Sequence, residues 1–479
     1  MATPYRPNVV FVLADDMGYG DIGCYNPESK IPTPHLDRMA EEGIRFTDAH
    51  AGSALCTPSR YALLTGRYCW RSRLKRGVLN GYSGPLLEEG RWTVASLLRD
   101  RGYHTACFGK WHLGWEWPLR SGSGEVKPDD PTCGVDFRSP IHRGPTTVGF
   151  QNFFGIPASL DMPPYCYVDG DRPTAPAEGL VGDSPWDAFW RAGPIAPDFR
   201  HAEVLPTLAD RAVAYIREHG ARDEAPFFLY FALPAPHTPV LPLGAFRGRS
   251  GAGDYGDFCV QIDDVVGRLM QALRETGADR NTLFLFSSDN GPESIAYERI
   301  RRYRHYSMDG LRGVKRDTWE GGHRVPLIAR WPERIAPGAV GGQLVSLVDM
   351  MATAADIAGV ELPEDAGEDS ESMLPALEGR TMRGARREAI VYHAGDGTLA
   401  IRRGDWVFID GPTGAGAKEP EWFRQERGYV PHDLPGELYH LGQDPSEARN
   451  LYASEPGTVE ELKALLQRYK EAGRSVQRC

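Results

Sequence analysis

Apolar runs of strand length alternate along this chain with segments of helical period. Residues 9–13, 105–108, 227–231, 283–286 and 325–329 are near-continuous apolar stretches, as expected of strands buried on both faces. Between them, residues 34–42 carry Leu36, Met39 and Ala40 on one helical face, and residues 93–101 carry Val94, Leu97 and Leu98. Two longer helical segments, 208–219 and 258–276, are followed by Gly220 and Gly277, which the pattern marks as terminators. Strands and helices in alternation predict an α/β fold on a large, mostly parallel sheet sandwiched by helices.

The informative residues come directly after the strands. Asp15 and Asp16 follow the first, Lys110 and His112 the second, His237 the third, and Asp289 and Asn290 the fourth. Ligands of open α/β sheets bind at the carboxyl ends of the strands, so four segments deliver polar groups to one rim. Taken singly, Asp-Asp and Asp-Asn-Gly are also ordinary turn chemistry, and His237 in "PAPHTP" fits a plain loop. Taken together, the two acidic pairs would repel each other unless a cation lay between them. Three carboxylates and an amide oxygen form a hard oxygen set, suited to Ca²⁺ or Mg²⁺ and not to zinc. The expected site is therefore a divalent ion framed by Asp15, Asp16, Asp289 and Asn290. Arg60, Lys110, His112, His237 and Lys315 supply the cations and donors that a tetrahedral oxyanion ester requires. Phosphate and sulfate both fit.

One short segment adds a nucleophile. In "ALCTPSR", Thr57 before Pro58 predicts a helix start, with Thr57 as the cap, Pro58 at the first helical position and Gly66 as the terminator. Cys56 then stands just ahead of a helix N-terminus, where free N–H groups and the dipole favour an anion. A buried structural cysteine is the alternative reading, and Arg60 one turn along fits poorly with a purely apolar pocket.

Composition narrows the class further. The 479 residues, 41% of them hydrophobic, are enough for one large domain and a smaller one. A formal net charge of −11 excludes nucleic acid as the expected partner. The eight cysteines show no C-x-x-C pair, and so suggest neither a zinc site nor a disulfide scaffold. No apolar run approaches about 18 residues, and the first residues lack the layout of a secretory signal. The expectation is a cytoplasmic enzyme without membrane contact; a periplasmic or secreted chain whose signal had been removed would read the same.

The segments "NVVFVLADDMGYGD", "LCTPSRYALLTGR", "GYHTACFGKWHLG", "PHTP", "FSSDNG", "LRGVKRDTWEGGHRVPLIARWP" and "ELYHLGQDPSEARNL" occur in this order along nearly the whole chain. On these the sequence resembles the type I sulfatases of the alkaline phosphatase superfamily. The resemblance implies that a separate maturation enzyme oxidises Cys56 to Cα-formylglycine, whose hydrated aldehyde is the nucleophile. It implies that Asp15, Asp16, Asp289, Asn290 and the converted Cys56 hold a calcium ion, with Mg²⁺ as the alternative. Asp289 would be the base for the attacking hydroxyl, and Arg60 and Lys110 would hold the diol. His112 would take a proton as sulfate is eliminated, His237 would protonate the leaving oxygen, and Lys315 would clamp the sulfate. Hydrolysis of an aryl or carbohydrate sulfate monoester follows, with a phosphodiesterase or phosphonate monoester hydrolase of the same superfamily as the alternative. A non-catalytic calcium-stabilised binding protein is the rival from another class, and the complete set of polar groups speaks against it.

The resemblance also implies a smaller C-terminal α+β domain with an antiparallel sheet. Its strands read in "REAIVYHA", "LAIRRGDWVFID" and "GELYHLG", and its helix at 458–472. The expected division is 1–380 and 381–479. Residues 115–205 show little periodicity and are expected to form a long loop region over the pocket, with Trp115 and Trp117 either in the core or stacked on substrate.

Overall fold

The apolar runs become the centre of one sheet. The computed structural model describes residues 6–123, 134–184, 189–221, 225–380 and 387–477. Its main sheet contains, in chain order, β1 (Asn8–Asp15), β2 (Ile44–Phe46), β3 (His104–Lys110), β4 (Asn152–Ile156), β5 (Val168–Asp169), β6 (Arg172–Pro173), β7 (Phe227–Pro236), β8 (Thr282–Ser288), β9 (Leu327–Arg330) and β10 (Ala339–Gly341). They lie in the spatial order β10-β2-β9-β8-β1-β7-β3-β4-β5-β6. The block β8-β1-β7-β3-β4 is parallel, whereas β9 runs antiparallel to both its neighbours. β7 and β8 are buried along their whole length, and β1 at all but its first residue. That is why their sequences read as unbroken apolar runs.

Two helical layers cover this sheet. Helices α1 (Pro34–Glu41), α4 (Val204–Gly220) and α5 (Gly253–Thr276) pack together as one layer. Helices α2 (Cys56–Thr65) and α3 (Val94–Arg99) pack with the helix Met350–Ala358 as the other. Among the described residues no helix is long and apolar enough to cross a membrane.

A second sheet is antiparallel throughout, with β11 (Ile390–His393), β12 (Leu399–Arg403), β13 (Trp406–Ile409) and β14 (Glu437–His440) in that order. One face packs on helix α6 (Pro456–Ala472) through Val459, Leu462 and Leu466, in a cluster that also takes in Ala62 of α2 and Tyr68. The other face, with Tyr392, Val407 and Tyr439, closes over Trp319.

Three local expectations are corrected. Helix α2 begins at Cys56 itself, with Leu55 as its cap residue. Thr57 does not cap it: its hydroxyl donates to the His112 carbonyl at 3.0 Å and accepts from the Leu79 N–H at 3.3 Å, so tertiary partners outcompete the local bond. Gly220 is the last helical residue of α4 and Ala221 closes it, while Gly277 does terminate α5 in the left-handed region at φ 78°. Residues 115–205 are more than a loop. β4 joins the main sheet beside β3, and the pair Gly179–Val181 and Gly193–Ile195 forms a small hairpin sheet. Trp115 and Trp117 are core residues, each bonded through its indole N–H to a backbone carbonyl.

Gly66 ends α2 at φ 66°, and a Cβ there would lie 2.6 Å from the Met351 Cβ and 2.9 Å from the Gly367 Cα. Gly428 has φ 71° but open space around it. Gly66→Ala should therefore cost roughly 2 kcal/mol or more, against about 1 kcal/mol for Gly428→Ala. Denaturant unfolding of the two variants checks the difference.

Candidate functional site

Register brings the acidic residues together. In the parallel ladder Ala14 of β1 faces Ser288 of β8, so Asp15 and Asp289 leave adjacent strands at the same level. On the other side Asp15 pairs with Pro236 of β7, one residue before His237, and Gly109 of β3 pairs with Ala232 of β7, which brings Lys110 to the same rim. Asp16 and His112 follow their strands in left-handed conformations, φ 69° and 56°, unusual for residues with a Cβ and characteristic of functional turns.

Every site residue expected from the sequence is buried here: Asp15, Asp16, Cys56, Arg60, Lys110, His112, His237, Asp289, Asn290 and Lys315. Lys110 Nζ donates to Asp15 Oδ2 at 2.6 Å, and Lys315 Nζ donates to Asp16 Oδ2 at 2.8 Å. Arg60 donates twice to Asp289 Oδ2, from Nε at 3.0 Å and Nη2 at 2.7 Å. Asn290 Nδ2 donates to Asp16 Oδ1 at 2.7 Å, which turns its Oδ1 away from that bond. Ligand atoms of Asp15, Asp16, Cys56 and His237 lie within 4.8 Å of one another.

The two histidines are held in defined states. His112 Nε2 lies 2.7 Å from the Leu79 carbonyl, which can only accept, so Nε2 carries the proton and the buried Nδ1 keeps an unpaired lone pair. His237 Nδ1 donates to the Thr238 carbonyl at 2.7 Å and leaves Nε2 facing Asp16 Oδ2 at 3.7 Å.

Electrostatics follow from burial and crowding. Burial opposes ionisation of Asp15, yet Lys110, with His237, Arg60 and Lys315 around it, holds its carboxyl well below the usual range. Asp289 goes the other way: burial, then the Asp15 charge, pushes it up to about 6 despite Arg60. Burial works against the Lys315 charge, and Asp16 overcomes it, so its pKa rises well above the ordinary lysine value. His112 is held neutral by burial first and by Lys110 and Arg60 next. Burial pushes the Cys56 thiol up to about 12, so as a thiol it is a poor nucleophile at neutral pH.

Two buried oxygens decide whether a cation belongs here. Asp15 Oδ1 and Asn290 Oδ1 accept no hydrogen bond, although Arg60 Nη2 stands 3.6 Å from the former, while both oxygens of Asp16 and of Asp289 are taken. Orphaned hard oxygens beside further carboxylates fit a divalent cation.

Three participants escaped the sequence reading. Ser159 accepts from Lys110 Nζ at 2.5 Å, and Asp161 Oδ1 lies 3.9 Å from His237 Nδ1. Glu293 stands 3.9 Å from Lys315 Nζ and is bonded by both Arg316 nitrogens, at 2.6 and 2.8 Å. The one signal for the first two was "NFFGI", a short, mostly apolar run with Pro157 and Ala158 between it and Ser159.

The sulfatase family model matches residues 7–360, about three quarters of the chain. The chain belongs to the sulfatase family. It is 34% identical to an N-acetylgalactosamine-6-O-sulfatase of Bacteroides thetaiotaomicron, over 97% of this chain and 93% of that one. Human arylsulfatase A is 36% identical over 98% of this chain and 88% of its own. A solved sulfatase structure, from work on glycosaminoglycan metabolism by Bacteroides thetaiotaomicron, superposes with a TM-score of 0.82 at 32% identity, covering 97% and 99% of the two chains. This sulfatase is thus a sulfuric ester hydrolase of alkaline-phosphatase-like fold, and the phosphodiesterase alternative is not favoured. The family implies a divalent metal and formylglycine, and the orphaned oxygens of the acidic cluster accord with the metal.

Removing such a metal would leave Asp15 and Asp16 beside Asp289 with two acceptors unsatisfied. Exhaustive chelation should lower both activity and Tm, with Ca²⁺ or Mg²⁺ restoring them. Elemental analysis with a thermal melt before and after chelation checks this.

Proposed function

We propose that this sulfatase hydrolyses a sulfate monoester of a carbohydrate, with Cys56 in the formylglycine form and Ca²⁺ in the acidic cluster. One observation carries the choice of leaving group. Beside His237, Asp161 keeps its buried Oδ1 without a hydrogen-bond donor, while its Oδ2 pairs with Arg191, whose side chain is 48% exposed. An acceptor next to a half-open guanidinium suits a neighbouring sugar hydroxyl better than an aromatic ring. The N-acetylgalactosamine-6-O-sulfatase relative supports the same class.

Converted Cys56 supplies a hydroxyl nucleophile in place of a thiol, and the ion supplies positive charge to the sulfate oxygens. Asp15, Asp16, Asp289 and Asn290 would hold the ion together with the converted Cys56. Lys110 and Arg60 orient the nucleophile, held in turn by Asp15, Ser159 and Asp289. Asp289, its Oδ2 held by Arg60, is the carboxylate placed to accept the proton of the attacking hydroxyl. Lys315 binds the sulfate, and its raised pKa keeps it charged. With its Nδ1–H fixed on the Thr238 carbonyl, His237 donates to the departing sugar oxygen from Nε2 as the imidazolium, the form in which both ring nitrogens carry protons, and is left neutral. His112 accepts a proton at its free Nδ1 when sulfate leaves. In this reading residues 1–380 carry the chemistry and 381–479 form the smaller domain.

Activity should scale with the fraction of chains carrying an aldehyde at Cys56, read as the mass of the peptide containing it, and Cys56→Ala should be inactive. Full-rate hydrolysis by protein wholly in the thiol form would exclude this mechanism.

General acid catalysis matters most for poor leaving groups and contributes on the order of 10² to 10⁴ in rate. His237→Ala should therefore cripple single-turnover sulfate transfer from a sugar sulfate and lose much less on 4-nitrophenyl sulfate. Equal losses on both would assign His237 to binding sulfate.

A further inference from the structure

Lys315 must keep a flexible side chain aimed at one spot, and the two carboxylates beside it are unequal holds. Four rotatable bonds separate its ammonium from the backbone, and fixing them costs about 2 kcal/mol of rotamer entropy. The nearer carboxylate is Asp16, with both oxygens 2.8 Å from Nζ. Asp16 also belongs to the set that would hold the divalent cation, so ion and lysine draw on the same lone pairs. The other is Glu293, whose Oε2 stands 3.9 Å from Nζ. It lies outside that set.

Glu293 is held so that it cannot swing. Its Oε1 accepts from Ser294 N–H at 2.8 Å, Ser294 Oγ at 2.9 Å and Arg316 Nη1 at 2.6 Å, and its Oε2 from Arg316 Nη2 at 2.8 Å. Oε2, with one donor, keeps accepting capacity that Oε1, with three, does not. Burial opposes the charge, yet the Arg316 hydrogen bonds and the neighbouring Lys315 hold the carboxyl well below the usual range. The backbone adds a second rung, because Lys315 N–H donates to the Pro292 carbonyl at 2.9 Å. Residues 292–293 and 315–316 are thereby tied twice. Arg316 makes its rung from a left-handed backbone, φ 85°, a conformation that costs a residue with a Cβ on the order of 1–3 kcal/mol. Its side chain is 38% exposed and that of Glu293 29%. A plain surface pair of this exposure contributes about 0–1 kcal/mol and would not by itself offset such strain.

We propose that Glu293 is a positioning residue for Lys315: clamped by Arg316 and Ser294, it holds the ammonium in place for sulfate when the cation claims Asp16. This rests on the sulfate-binding reading of Lys315 above and adds the group that orients it. An ammonium has three donors, and with Asp16 and Glu293 each taking one, the third remains for the sulfate. A carboxylate this near an anion site would repel the anion, and the Arg316 fork compensates its charge while leaving Oε2 for Lys315.

The test titrates inorganic sulfate calorimetrically, at saturating Ca²⁺, into wild type, Glu293→Gln, Lys315→Ala and the double variant. Glu293→Gln should weaken sulfate binding roughly tenfold, Lys315→Ala should weaken it further, and the double variant should bind no worse than Lys315→Ala alone. Loss of a negative charge without loss of position would tighten sulfate binding instead. Tighter or unchanged binding in Glu293→Gln therefore overturns the proposal, as does a further loss when Glu293→Gln is added to Lys315→Ala. Should Glu293→Gln not fold, Glu293→Asp, which withdraws the carboxylate by about 1.5 Å, replaces it with the same expectations. Sulfate affinity that is independent of Lys315 would remove the sulfate role of that lysine. In that case, or where sulfate binds too weakly to titrate, crystal structures of Ca²⁺-loaded wild type and Glu293 variant decide the positioning: a displaced Lys315 ammonium supports it, and an unmoved one overturns it.

Discussion

Three carboxylates sharing one buried spot at the ends of parallel strands are the constraint on which this molecule is organised. Together Asp15, Asp16 and Asp289 crowd negative charge into a buried spot, where burial and the Asp15 charge push the Asp289 carboxyl up. The fold answers with three buried cations, each bonded directly to one of them: Lys110 to Asp15, Lys315 to Asp16 and Arg60 to Asp289. The set balances to zero, and removing any one member would strand a charge in a dry interior. Each cation comes from a different part of the chain, β3, α2 and the segment before Trp319, so the cluster also ties those parts to β1 and β8.

The cost appears in the backbone. Asp16 and His112 are driven into left-handed conformations immediately after their strands, which lets successive residues serve opposite neighbours. Asp15 meets Lys110 while Asp16 meets Lys315 and Asn290. Helix α2 is buried along its full length, Arg60 included, and so cannot be amphipathic in the ordinary sense. Its orientation is set by polar anchors instead, Thr57 on the His112 carbonyl and Arg60 on Asp289 and the Lys110 carbonyl.

Most of the site was legible because parallel, doubly buried strands announce themselves as apolar runs, and the first polar residue after each is where ligands bind. Asp15, Lys110 and Asp289 stand out by that placement taken together, although Ser287 and Ser288 precede Asp289 and each segment alone reads equally as a turn. Thr57 was misread as a cap because its sequence neighbours, Cys56 and Pro58, are those of a helix start, whereas its partners come from His112 and Leu79, remote in sequence. Ser159 and Asp161 are hard to read from sequence because β4 is only five residues long, sits in a stretch with little periodicity and is followed by Pro157 and Ala158, so its short apolar run marks a rim position only weakly. Glu293 and Arg316 pair across 23 residues, a contact that only the tertiary fold creates.

The smaller sheet takes part in shaping the site. Ala54 N–H and Ser53 Oγ both donate to the His393 carbonyl at the end of β11, at 3.0 and 2.7 Å, which fixes the chain just before Cys56. Arg316 N–H donates to the Ala54 carbonyl and Gly395 N–H to that of Arg316, so the turn after β11 also fixes the residue beside Lys315. Behind this junction Arg402 of β12 makes two 2.8 Å bonds to Asp48, which also binds His50. Buried charge pairs of this kind contribute little net stability but strongly penalise a shifted register, because a displaced partner would leave a charge unpaired. Cys56 and Lys315 are therefore held from the C-terminal side, by a sheet that contributes no side chain to the acidic cluster.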